Sequence, residues 1–215
     1  MARMRRKKNL VPRMERCAEM LIASPWENKG RWREALGIPA DTPLYLEIGC
    51  GKGGFANKTA QAEPGIFMLA LERVDEALLI GLEAAYAAER KNLRFISFDA
   101  AKLEEIFLPG ELDRIYLNFS DPWPPRNRAK RRLTHRNFLA LYKKLLRPDG
   151  EIFFKTDNRP LFDFSLVEFE ESGYELSNVT FDLHSTDTPN IRTEYEEKFA
   201  AMGVPICRLE ARLKK

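Results

Sequence analysis

With 215 residues, 44% of them hydrophobic and 31% charged, the chain suits one domain with a proper core and is short for two, so a basic tail at residues 1 to 16 and a single domain at 17 to 215 are expected. The formal net charge is only +3, but it is unevenly spread: Arg3, Arg5, Arg6, Lys7, Lys8, Arg13 and Arg16 face Glu15 alone, and residues 126 to 136 hold six Lys/Arg and no acid. Two basic patches on an acidic remainder indicate a polyanionic partner, whereas Cys17, Cys50 and Cys207 are too scattered for a disulfide framework or a zinc site, and no signal peptide or run of membrane-spanning length appears, so a cytoplasmic location is expected.

In chain order, Cys17 to Pro43 reads as a helix or two plus linker, punctuated by Pro25, Gly30, Gly37 and Pro39. A regular alternation follows. Leu44 to Ile48 is a strand, a glycine loop and a helix to about Ala62 come next, Ile66 to Leu71 is a second strand, Asp75 to Arg90 a helix, and Leu93 to Phe98 a third strand. The loop Glu47-Ile48-Gly49-Cys50-Gly51-Lys52-Gly53-Gly54 sits between a strand and a helix, where Gly49, Gly51 and Gly53 permit a tight turn and close backbone approach, and Glu72 at the end of the second strand can accept from ribose hydroxyls. The same letters satisfy G-x-G-x-x-G, so a nicotinamide enzyme is one reading. Glu47 beside the loop suits a ligand ammonium better than a pyrophosphate, and Asp99 after the third strand can accept from an adenine amino group; the trio favours S-adenosylmethionine. Asp99 alone reads equally as a cap for the helix beginning at Ala100.

Leu112 to Asn118 is the fourth strand, and it runs into Ser120-Asp121-Pro122-Trp123-Pro124, with Arg126, Arg128, Lys130, Arg131 and Arg132 immediately after. Two prolines fix φ on either side of the tryptophan, so a carboxylate and an indole are presented on a stiff loop beside cations, as a nucleobase with its phosphates would need; taken alone, the segment reads equally as a proline-rich turn with a solvated charge run. Thr134 to Leu146 is a helix stopped by Pro148-Asp149-Gly150, Glu151 to Thr156 a fifth strand, Pro160 to Ser172 a helix, Glu175 to Leu183 a strand, Thr193 to Met202 a helix, and Pro205 to Leu213 a half-exposed antiparallel strand near an edge. The alternation implies an α/β fold, a mostly parallel seven-stranded sheet with helices on both faces and a last antiparallel strand, whose ligands sit at the carboxyl ends of the strands. Asp157 also fits a helix-start pattern, and Thr193-x-x-Glu196 also fits a capping box. His135 reads as a nucleic-acid-facing or plain surface residue.

These residues match a family pattern. With E-I-G-C-G-K-G at 47 to 53, Glu72, Asp99, S-D-P-W-P at 120 to 124, K-R-R-L-T at 130 to 134, K-T-D-N at 155 to 158 and T-E-Y-E at 193 to 196, the chain resembles the bacterial tRNA (guanine-N7-)-methyltransferases over most of its length. The resemblance implies a Rossmann-like class I methyltransferase fold, S-adenosyl-L-methionine held by Glu47, Glu72, Asp99 and Asp121 around the glycine loop, no metal, and methylation of guanosine N7 at position 46 in the tRNA variable loop. It further implies tRNA contacts from Asp157, Thr193, Glu194, Tyr195 and Glu196. Asp121, whose carboxylate can accept from the N1–H and N2–H₂ edge of guanine, is the expected catalytic residue. Where the family commonly places a lysine after D-P-W-P this chain has Pro125, which moves the basic contact to Arg126. The protein is expected to act on tRNA as a monomer or homodimer, without a membrane. Two other classes remain open: an amino-group methyltransferase acting on adenine N6 or similar, whose (D/N)-P-P-(Y/W) loop differs from Asp-Pro-Trp-Pro here, and a non-catalytic RNA-binding subunit, against which the intact carboxylates stand.

Overall fold

Strands buried on both faces read as unbroken apolar runs, and the first half of the chain builds its sheet from three of them. The computed structural model describes residues 7–124 and 126–214, which fall into two units, Met1–Phe107 and Leu108–Lys215. In the first unit β1 (Leu44–Ile48) pairs in parallel with β2 (Phe67–Glu72), Leu44 opposite Phe67, and β2 pairs in parallel with β3 (Leu93–Ser97), Glu72 opposite Ser97. The segment before β1 carries two short helices, α1 (Leu10–Arg16) and α2 (Trp32–Ala35). The crossovers are α3 (Gly54–Ala62) and α4 (Asp75–Ala87). The α4 helix stops three residues before the expected Arg90 because Glu89 turns left-handed (φ 49), letting the Arg90 amide donate to the Ala85 carbonyl at 3.0 Å and the Glu89 amide to Tyr86, a Schellman closure.

Part of the N-terminal segment is built into the first unit. Leu10–Arg16 is helical, and Arg13 grips the Glu83 carboxylate on α4 through Nε at 2.7 Å and Nη2 at 2.6 Å. Farther on, Leu21 forms a parallel bridge to Phe95, and the Ile22 amide donates to the Phe95 carbonyl at 2.9 Å, so this segment covers the outer edge of β3. Trp32 on α2 is buried, stacks on Phe107 at 5.1 Å and donates its indole N–H to the Ile106 carbonyl at 2.7 Å.

In the second unit β4 (Leu112–Asn118) runs parallel to β5 (Leu146–Thr156), and β7 (Cys207–Leu213) pairs antiparallel with both β5 and β6 (Tyr174–Thr180). The helices are α5 (Arg136–Leu145), α6 (Arg159–Glu171) and α7 (Glu194–Ala201). Pro148-Asp149-Gly150 does not precede the fifth strand as a stop signal; β5 already begins at Leu146, and these residues are absorbed where the register jumps between Leu112 and Arg114. As expected, β7 lies near an edge, between β5 and the edge strand β6, but it is more buried than half-exposed, with Cys207, Leu209 and Ala211 at most 3% exposed and Arg208 at 7%. That edge strand ends at Thr180 rather than Leu183, since a left-handed Asn178 (φ 49) and a register shift after Ser177 turn the chain away. The seven strands make a mostly parallel sheet whose last strand is antiparallel, and among the described residues no helix is long and apolar enough to cross a membrane.

Candidate functional site

Three carboxylates stand at neighbouring strand ends in the first unit. Glu47 lies one residue before the end of β1 and is 2% exposed. Glu72 ends β2, and its carboxylate accepts from the backbone of the glycine loop, Gly51 N–H at 3.1 Å, and from Arg73 and Val74 N–H at 2.9 and 3.0 Å. Each carboxylate oxygen accepts more than one hydrogen bond, so Glu72 can shape the loop and still receive a ribose hydroxyl. Asp99 follows β3, is exposed, and caps the 3-10 turn Ala100–Glu105 through one oxygen, accepting from Ala101 N–H at 2.9 Å. The capping reading of Asp99 therefore holds.

The glycine loop is held from below and open above. Gly49 and Cys50 N–H both donate to the Leu71 carbonyl, at 2.8 and 2.9 Å, and Gly49, Gly51 and Gly53 all have positive φ. A Cβ on Gly51 would meet nothing within 4 Å, which is the free face a bound ligand needs, whereas one on Gly53 would lie 2.7 Å from Phe95 Cε1 and 3.0 Å from Gly81 Cα. Gly81 on α4 is a residue that sequence reasoning missed: its own Cβ would strike the same ring at 2.7 Å and the Lys52 carbonyl at 3.1 Å. Its only signal was a glycine in the middle of a helix, where the residue is costly without a packing reason. Burial, then the charges of Glu47 and Glu72, push the Cys50 thiol well above its ordinary range, so it stays protonated and is no nucleophile.

In the second unit, Asp121 sits half-buried on the loop leaving β4, and Asp157 on the loop leaving the adjacent β5; Asn118 opposes Lys155, and the Phe119 amide donates to the Lys155 carbonyl at 2.9 Å. The loop's stiffness comes less from its prolines than from arginines. Phe119 and Trp123 are both left-handed (φ 51 and 42), which costs a non-glycine residue roughly 1–2 kcal/mol. Arg132 holds the loop by donating from Nε to the Pro122 carbonyl at 2.8 Å and from Nη2 to Trp123 at 3.2 Å, with its guanidinium 4.3 Å above the Phe164 ring, and Arg131 lies 4.9 Å above the Trp123 ring. Arg136 is also engaged, paired with Glu168 at 2.5 Å and Glu171 at 2.7 Å. The expected cationic strip thus divides: Arg131, Arg132 and Arg136 serve the fold, and Arg128 and Lys130 stay exposed. Pro125, the tail residues Arg3, Arg5 and Arg6, and the side chain of Arg126 lie outside the described residues; the Arg126 backbone opens a 3-10 turn, Arg126–Arg131.

His135 has a local structural role; its Nδ1 caps α5 by accepting from Asn137 N–H at 3.2 Å, and burial, ahead of the neighbouring cations, lowers its pKa and favours that neutral acceptor. Asn158 rather than Asp157 caps α6, accepting from Leu161 N–H at 2.9 Å, so the Asp157 carboxylate is not spent on the helix start. Thr193 does cap α7, accepting from Glu196 N–H at 2.9 Å. Glu194 is exposed, and Tyr195, 58% exposed, lies 6.0 Å from the Phe119 ring, bringing α7 to the root of the Asp121 loop. Glu196 differs from its neighbours: it is 0% exposed, and Lys155, His184 and Asn190 all donate to its carboxylate.

The family model described as "Putative methyltransferase" (Methyltransf_4) matches residues 41–209. A tRNA (guanine-N(7)-)-methyltransferase of Listeria monocytogenes serotype 4b (strain F2365) is 49% identical over 201 residues, 93% of each chain. One of Lactococcus lactis subsp. cremoris (strain MG1363) is 44% identical over 213 residues, 98% of this chain and 97% of its own. Among solved structures, the antibiotic-resistance methyltransferase Kmr superposes with a TM-score of 0.57 at 18% identity, covering 85% of this chain and 91% of that one, and a SAM-dependent methyltransferase from Aquifex aeolicus with 0.56 at 11%, covering 92% and 96%. At those identities the structural likeness speaks for the fold alone.

Proposed function

The chain belongs to the bacterial tRNA (guanine-N(7)-)-methyltransferase family, and on that premise we propose that it methylates guanosine N7 in tRNA, at position 46 of the variable loop, with S-adenosyl-L-methionine as donor. The observation that carries the reading at the level of the site is the glycine loop tied to Glu72, open above Gly51, with Asp99 at the next strand end. These residues fit the donor: Glu72 for the ribose hydroxyls, Asp99 for the adenine amino group and Glu47 for the ammonium. When bound, the donor supplies an electrophilic methyl on a cationic sulfur, which leaves as a neutral thioether once the guanine nitrogen has taken the methyl.

Guanine N7 carries an in-plane lone pair and no proton, so the protein need not supply a general base. What it must supply is alignment and electrostatics. In this reading Asp121 accepts from the N1–H and N2–H₂ edge of guanine, which identifies the base and fixes where N7 points. Arg132 and Arg131 keep that carboxylate's loop in its strained form. Asp157, Thr193, Glu194 and Tyr195 face the tRNA, Arg126 provides the basic contact after the proline-rich loop, and Arg128 and Lys130 neutralise phosphates without reading sequence. The deciding experiment is to incubate the protein with tRNA and labelled donor and map the methylated nucleoside. Label at guanine N7 supports the reading; label on an adenine amino group, or donor binding with no transfer, overturns it.

A further inference from the structure

Lys155 is on β5, two residues before Asp157, yet it is buried to 4% exposure and its three ammonium hydrogens are all placed: Asn190 Oδ1 at 3.0 Å, the Ile191 carbonyl at 2.8 Å and Glu196 Oε2 at 2.6 Å. The other oxygen, Glu196 Oε1, receives His184 Nε2 at 2.8 Å and Asn190 Nδ2. An ammonium offers three donors and a carboxylate about four acceptor sites; here the ring of partners fills nearly all of them from within the chain. Burial works against the Glu196 charge, but Lys155, with the bonds from His184 and Asn190, holds the carboxyl below its usual range, so the pair is ionic. The ring closes on one irregular segment. Between β6 and α7 the chain has a single 3-10 turn, Leu183–Ser185, and residues 189 to 191 are held by Lys155 and by Arg208, which donates to the Pro189 carbonyl at 3.4 Å.

We propose that Glu196 does not touch tRNA but is the centre of a positioning device, in which Lys155, His184 and Asn190 are positioning residues that fix where Asp157 and Tyr195 stand. The inference rests on the tRNA methyltransferase reading for what Asp157 and Tyr195 meet. Asp157 follows Lys155 along one strand end and Tyr195 precedes Glu196 on the first turn of α7, so the Lys155–Glu196 pair links the two presenting elements. Thr193, by capping α7 through the Glu196 amide, belongs to the same device. Removing either charge leaves the other buried and uncompensated, and the effect should reach tRNA through geometry.

The test compares Lys155→Met, Glu196→Gln and the double variant by steady-state methylation, donor binding and amide hydrogen exchange over residues 187–195. In the double variant the glutamine carbonyl still accepts from His184 and Asn190, and its NH₂ supplies a donor where the ammonium is gone. Each single variant should raise the tRNA KM by about tenfold or more with donor Kd within about twofold, and the double should return to within about threefold of the parent. Exchange over 187–195 should quicken in the singles and slow again in the double. Parental tRNA KM in Lys155→Met, or a double variant no better than Glu196→Gln, overturns the proposal and puts the carboxylate on RNA. Should the singles not fold, the rim decides: His184→Gln keeps a donor and should stay near parental, while His184→Ala and Asn190→Ala should raise the tRNA KM. An equal loss in His184→Gln and His184→Ala would refute a hydrogen-bonded device. A parent that fails to methylate tRNA removes the function proposed above, and exchange then judges the network by itself.

Discussion

Arg132→Met separates two jobs that a cationic strip hides. The methionine keeps an apolar stem for the Phe164 ring and deletes only the guanidinium, whose Nε and Nη2 hold the Pro122 and Trp123 carbonyls at 2.8 and 3.2 Å. Hydrogen bonds from a charged group contribute about 1.5–3 kcal/mol each, and screening at a half-buried side chain cuts the pair to about 2 kcal/mol in all. That is roughly thirtyfold in the ratio of held to relaxed loop, and the left-handed Trp123 gives the loop reason to relax. Steady-state methylation with saturating donor should therefore show kcat/KM for tRNA lowered by roughly ten- to thirtyfold, with the salt dependence of tRNA binding unchanged. Arg128→Ala/Lys130→Ala should do the reverse, keeping turnover at saturating tRNA and flattening the log–log salt slope by about one unit for each phosphate no longer neutralised. If Arg132→Met flattens the salt slope and leaves kcat alone, the arginine meets phosphate and does not hold the loop.

Glu72→Ala removes both a ribose acceptor and the tie to Gly51, so donor affinity should fall by at least about tenfold in calorimetry with tRNA affinity intact; an unchanged donor Kd would take Glu72 out of the site. Gly81→Ala forces a methyl to 2.7 Å from Phe95 Cε1 and 3.1 Å from the Lys52 carbonyl, an overpacking cost of about 1–3 kcal/mol, which should lower Tm and weaken donor binding together, and a neutral effect on both would refute the close approach. Glu168 is buried, which opposes its charge, but Arg136 outweighs burial and lowers its pKa. The stability this contributes is present above the ordinary carboxylate pKa and is lost as pH falls through the lowered folded value. Glu168→Gln should therefore unfold with a flatter pH dependence in the acid range than the parent, and an identical acid slope would count against the pair.

The parallel strands were legible because burial on both faces writes itself as Leu44–Ile48 and Phe67–Leu71, with no polar alternation to misread. The arrangement of the glycine loop and its neighbouring acids was legible for a related reason: a strand-end acid, a glycine turn and a helix start are neighbours in sequence as well as in space. What failed depends on partners distant in sequence. β7 reads as half-exposed by its alternation, but Arg208, Glu210 and Arg212 find Glu151, Asn178 and each other, so its charged face need not be solvated. Glu196 looks like the other polar residues of T-E-Y-E until Lys155, 41 residues upstream, is placed against it. The prolines around Trp123 suggest a stiff loop, but the hydrogen bonds that hold it come from Arg132, whose position in a basic run suggests phosphate.

The strip of chain that lies along β3 has a consequence for the order in which the molecule is made. Leu21 and Ile22 leave the ribosome well before Phe95, the residue they pair with, and at about 5–20 residues per second the wait is on the order of several seconds. During that interval the segment has no groove to occupy, and α1 has no Glu83 for Arg13 to hold. The nascent first unit must therefore gather its three strands before its own beginning can be laid down. Until then the outer backbone of β3 is an open template for any extended peptide nearby.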